Sequence, residues 1–93
     1  MNKVFIVREK VEYTDNYERD GNRDEIIGAF TGEKAAVAFM RGSSAGCRDT
    51  LAGRGLEFDF NETDRRSCDL TAYFNGEVNE EWKWSVEEHE IME

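Results

Sequence analysis

Three runs in the second half of the chain alternate strictly between apolar and polar residues. Leu56, Phe58 and Phe60 alternate with Glu57 and Asp59, Leu70, Ala72 and Phe74 with Thr71 and Tyr73, and Trp82, Trp84 and Val86 with Glu81, Lys83 and Ser85. A period of two puts every apolar side chain of a run on one side of a pleated strand. Each run therefore reads as a strand with one buried and one wet face, the pattern of an antiparallel sheet covered by a single layer. Asn61–Arg66 reads as the turn between the first two runs, and Asn75-Gly76 is a hairpin signal between the second and third. Pairing Phe74 with Val78 sets Leu70 opposite Trp82, so an odd-length loop keeps both apolar sets on one face.

The first half supplies two more strands and the covering layer. Val4-Phe5-Ile6-Val7 is β-branched and aromatic, giving a strand from about Lys3 to Val11. A polar stretch from Thr14 to Asp24 follows, and then a second strand over Glu25–Phe30. Thr31 stands where an N-cap belongs, ahead of the alanine-rich Ala35–Met40. The preferred reading ends this helix at Gly42, with Gly42–Gly46 as a loop and a short turn near Arg48–Ala52. The alternative is one longer helix, because Val37, Met40, Ser44, Cys47 and Leu51 fall at spacings of three and four. Two internal glycines cost that helix about 1 kcal/mol each against alanine. The expected fold is a single α+β domain over residues 1–93, in order β-β-α-β-β-β, with one antiparallel sheet of about five strands and one main helix on one face.

Charge narrows the partners. Twelve Lys and Arg against 21 Asp and Glu leave a net charge of −9. Nucleic acids and anionic membranes both require a basic face, so neither is an expected direct partner. The charge is uneven: residues 12–25 carry six acids and two bases, residues 77–93 seven acids and one base, and residues 31–55 two acids and four bases. The Val4–Val7 run is far too short for a signal-peptide core, and two isolated cysteines make no disulfide framework, so a reduced, cytoplasmic setting is expected.

Motifs that carry chemistry are absent or incomplete. Gly42-Ser43-Ser44-Ala45-Gly46 fits the Gly-x-Ser-x-Gly spelling of a nucleophile elbow, but that device needs a strand turning into a helix, and this pentapeptide follows helical sequence. Asn16, Glu18 and Asp20 fall at calcium-loop ligand positions, yet Ile27 stands where the bidentate glutamate is required. Cys47, Cys68 and His89 lack the paired spacing of a structural zinc site. No cofactor, metal or catalytic set is expected.

The segments Val4-Phe5-Ile6-Val7, Ile27-Gly28-Ala29-Phe30-Thr31 with Lys34-Ala35, and Trp84-Ser85-Val86-Glu87-Glu88-His89-Glu90-Ile91 resemble a group of short bacterial and phage proteins built as hairpin, helix and returning strand. That resemblance spans about half the chain and implies an accessory protein that acts by binding. The leading functional expectation is a non-catalytic protein-binding module, such as a phage-encoded inhibitor of a host defence or nucleic-acid-processing complex. It would engage a basic surface of a protein partner through Asp15, Glu18, Asp20, Asp24, Glu87, Glu88 and Glu90, with Trp82 or Trp84 as an anchor if exposed. The alternatives are a DNA mimic with carboxylates in two regular rows, a ligand sensor or minor enzyme with a site near Ser43, Ser44 and Cys47, and a structural accessory subunit. Ala38, Gly42 and Gly46, four apart, would serve either helix-on-sheet packing or a homodimer contact.

Overall fold

A computed structural model describes residues 2–13 and 23–91. The elements are β1 (Asn2–Tyr13), β2 (Arg23–Phe30), α1 (Glu33–Gly53), β3 (Glu57–Asp64), β4 (Ser67–Phe74) and β5 (Glu77–Ile91). The five strands form one antiparallel sheet in the order β2-β1-β5-β4-β3, and α1 lies across one face. The α+β architecture expected from the alternating runs is the one observed. No helix among the described residues is long and apolar enough to cross a membrane.

The core lies between the helix and one side of the three central strands. Phe5, Val7 and Val11 of β1, Cys68, Leu70 and Ala72 of β4, and Trp84 and Val86 of β5 are buried, and Ala36, Val37, Met40 and Leu51 face them from the helix. These are alternate residues along each strand, as a one-sided core demands. Trp84 is 1% exposed, so its indole N–H needs a partner inside the protein. Glu9, directly opposite on β1, accepts it at 2.8 Å and also receives Arg23 of β2 at 3.1 Å. One carboxylate thus ties three neighbouring strands together.

The helix is continuous, which corrects the preferred sequence reading of a break at Gly42. Ser44 is buried and donates to the Arg41 carbonyl at 3.0 Å, while Met40 and Leu51 are each 2% exposed. Burying side chains of that size contributes about 1.5–3 kcal/mol each. That outweighs a glycine penalty of about 1 kcal/mol per residue. The stop comes at Gly55, whose φ of 73° lets the Gly55 and Leu56 amides return to the Ala52 and Leu51 carbonyls. At the other end, the cap is Gly32 rather than Thr31, with no side-chain cap bond.

Two further boundaries differ. The expected Asn61–Arg66 turn is strand as far as Asp64, because Asn61 and Glu62 pair with Asp69 and Cys68. The turn itself closes when Asp64 accepts the Arg66 amide at 2.7 Å. At the β4–β5 hairpin, Leu70 does face Trp82, but Phe74 pairs with Glu77 and Tyr73 with Val78. A two-residue Asn75-Gly76 turn with φ of 52° and 80°, plus a register shift after Ala72, does the work expected of an odd loop.

Helix-on-sheet packing through Ala38, Gly42 and Gly46 is also corrected, since Ala38 is exposed and a Cβ built on either glycine meets nothing within 4 Å. Gly42→Ala and Gly46→Ala should therefore each stabilise the fold by about 1 kcal/mol. Urea denaturation measures this, and a loss of stability in either variant would show that the helix needs its bare backbone there.

Candidate functional site

The strand register sorts the acidic residues into two groups at opposite ends of the sheet. At one end lie the closing residues of β5. Glu87 meets Arg8 at 2.6 Å, and Arg8 also reaches Asp24 of β2 at 3.1 Å. Glu88 meets Lys3 at 3.1 Å and Arg66 at 3.2 Å, and Arg66 also pairs with Glu33 at the start of the helix. Hydrogen bonding to Arg8 holds the Glu87 carboxyl below the usual carboxylate value. Lys3, and then Arg66, does the same for Glu88. Of the sequence-nominated acids, Asp24, Glu87 and Glu88 are thus matched within the fold, and Glu90 is exposed beside them. Asp15, Glu18 and Asp20 lie outside the described residues.

At the opposite end two carboxylates face each other. Glu12 of β1 stands directly across from Glu81 of β5, and Tyr13 across from Glu80. Like charges facing each other across a ladder are destabilising. The next residues along this row are Thr71 of β4 and Asp59 of β3. Glu77 begins β5 at the same end, and Glu57 begins β3. Among the described residues, Glu12, Glu57, Glu77 and Glu81 have no ion-pair or hydrogen-bond partner. Asp59 accepts the Tyr73 hydroxyl at 2.8 Å. β1 ends and β2 begins at this end too, so Glu12 lies on the strand next to the start of β5.

This row is short and mixed. The adjacent row on the uncovered face of the sheet runs Asp24, Lys10, Lys83, Asp69, with the two lysines directly opposite each other. Carboxylates alternate here with amines and a threonine, an arrangement unlike the continuous charge of a phosphate row. Trp84 is enclosed in the core, which removes it as an exposed anchor, and Trp82 is partly buried and packs against the same core.

The residues weighed for a catalytic or ligand site do not converge. Ser44 is buried in mid-helix with its hydroxyl occupied, and the Gly-x-Ser-x-Gly spelling lies wholly within α1. His89 is 3.4 Å from Glu87 and falls on the other side of the sheet from the helix, in register with Val4. Burial, reinforced by Glu9 and Glu80, pushes the Cys47 thiol up to about 11. Burial also raises Cys68, with the nearby Ser44 hydroxyl acting in the opposite direction.

Sequence reasoning named both acidic segments but missed Glu12, Glu77 and Glu81 as individuals. The available signal was the alternation itself, because two acids at matched strand positions on paired strands must face each other. Compared with family models, curated proteins and solved structures, the chain matches none.

Two outcomes follow from these charges. A carboxylate with a lowered folded pKa stabilises the fold fully above its ordinary value of 4.5, and this is lost as pH falls below that value. Arg8→Met removes the largest of the influences that lower Glu87, so urea midpoints measured between neutral pH and about pH 3 should fall less steeply than in wild type. Cys47 moves from 9.0 to about 11. Its thiolate fraction, and hence its iodoacetamide alkylation rate near neutral pH, should therefore be about a hundredfold below that of an unperturbed thiol.

Proposed function

We propose that the protein is a non-catalytic binding module that docks on a basic surface of a protein partner through its uncompensated acidic end. The carrying observation is the direct opposition of Glu12 and Glu81. A cross-strand pair of like charges costs stability, by up to about 1 kcal/mol, and gives the isolated domain nothing in return. A cationic partner surface placed over the pair converts that repulsion into attraction. Long-range attraction, to which Glu77 at the same end of the sheet adds, would speed encounter at low salt.

The working surface is thus shifted from the end of β5 to its beginning. Glu87 and Glu88 would have to leave Arg8, Lys3 and Arg66 to serve a partner, whereas Glu12, Glu77 and Glu81 have no such bonds to break. The interleaving of Lys10 and Lys83 with the acids favours a folded protein partner over mimicry of a nucleic-acid backbone. A defence or nucleic-acid-processing complex would offer a basic surface of this kind, and the resemblance of the opening and closing strands implies an accessory protein that acts by binding.

Glu81→Lys separates binding from folding. It replaces a repulsive pair by an attractive one, so urea denaturation should show a gain of up to about 1 kcal/mol. At the same time, a bacterial-lysate protein retained on the immobilised wild type and released by salt should be lost. Equal retention by wild type and Glu81→Lys would sink the proposal.

A further inference from the structure

The helix has two unlike flanks. Over β2 it presents Phe39, which packs on Phe30 at 5.3 Å, and no charge. Over β3 and β4 it presents Lys34, Arg41 and Arg48, with Arg48 stacked on Phe60 at 4.0 Å. Between this second flank and the β3–β4 turn runs a groove of about 640 Å³ lined by Glu33, Lys34, Val37, Ala38, Arg41 and Arg65. Its floor is aliphatic. Glu33 is occupied by Arg65 and Arg66, but among the described residues the side chains of Lys34 and Arg41 have no ion-pair or hydrogen-bond partner. In a protein with a net charge of −9, two unmatched cations thus border the same concavity.

The complementary shape is on the same chain. The β4–β5 hairpin ends in a two-residue turn, and its last pair is Phe74 and Glu77. Cross-strand partners share a face, so the ring and the carboxylate lie side by side. Phe74 is 59% exposed, the highest value among the large exposed hydrophobics of the described residues, and the Glu77 carboxylate has no ion-pair or hydrogen-bond partner among them. The groove and this knob lie at opposite ends of β4, which at about 3.3 Å per residue separates them by roughly 23 Å. They cannot meet within one molecule.

We propose that the hairpin tip of one copy, Phe74 with Glu77, docks in the groove of a second copy, with the ring on Val37 and Ala38 and the carboxylate between Lys34 and Arg41. The inference rests on the acidic end being a contact surface and names one basic partner for it. A knob and a pocket on different parts of one molecule join either reciprocally about a two-fold axis or head to tail into rings and open chains. The patch is small, and copies of like net charge repel, so the association is weak and appears only at high protein concentration.

Sedimentation velocity across a concentration series tests this with the intact chain. Wild type should show a weight-average mass that rises with concentration. Lys34→Glu/Arg41→Glu and Phe74→Ser/Glu77→Lys, each checked for a wild-type unfolding midpoint, should each need at least tenfold more protein for the same rise. Mixing the two should restore association, because each altered surface meets a complementary one: the acidic groove of the first receives the Lys-bearing tip of the second, and the unaltered tip and groove also match. A wild type that stays monomeric into the millimolar range, or groove variants that associate like wild type, would overturn the proposal. So would a mixture no more associated than its components. Retention of a lysate partner by Lys34→Glu/Arg41→Glu, whose acidic end is intact, reports on the acidic-end reading separately, so the two failures are distinguishable.

Discussion

The hydrogen bond from Trp84 to Glu9 is the constraint on which the rest of the sheet depends. A fully enclosed indole must satisfy its N–H, and an unsatisfied buried donor costs about 1–3 kcal/mol. The acceptor here is the residue directly across the β1–β5 ladder. A one-residue slip of that ladder would leave the indole unpaired and turn every side chain of β5 to the wrong face. Arg23 extends the same contact to β2, so the carboxylate also fixes the edge hairpin. With this register set, Glu12 has no choice but to face Glu81, and Glu87 falls near Arg8. Both the repulsive and the matched ends of the molecule thus follow from one buried ring.

The electrostatic character is a gradient along the strands rather than a uniform acidic coat. Toward the end of β5 and the beginning of β1, Glu87 and Glu88 meet cations from other strands and from the β3–β4 turn, and Arg66 bridges β5 to the helix through Glu88 and Glu33. Toward the hairpin tip, Glu12 and Glu81 face each other, and the Glu57 and Glu77 carboxylates have no ion pair among the described residues. The groove beside Lys34 and Arg41 is a local reversal of sign on a third surface. A molecule so arranged presents distinct faces to partners of distinct charge, although its total charge alone would suggest only repulsion from anything acidic.

The legibility of the fold in the sequence varied with how local the deciding interaction was. The alternation of Leu70, Ala72, Trp82, Trp84 and Val86 announced strands, faces and a one-sided core, because burial on a pleated surface is written in every second residue. Gly42 and Gly46 misled, since their local propensity to break a helix is overruled by Met40, Ser44 and Leu51 packing on a sheet that the local sequence does not reveal. The Asn61–Asp64 stretch reads as turn because its residues are polar, but polar residues also suit an edge strand whose outer side is solvated. The acidic segments were visible as composition. Which acids are matched depends on strand neighbours distant in sequence, such as Arg8 with Glu87, and composition carries no information about that.

In the observed topology Asn2 and Ile91 are cross-strand partners on the two central strands of the sheet. A force applied between those two points therefore opens the β1–β5 ladder from one end, breaking a pair of hydrogen bonds at a time instead of shearing the whole row at once. The domain should yield at low load, while resisting heat and denaturant as an ordinary cooperative unit. The same adjacency makes it easy to graft: a host protein loop could enter at one point and leave beside it, with no need to span the 50 Å length of the molecule.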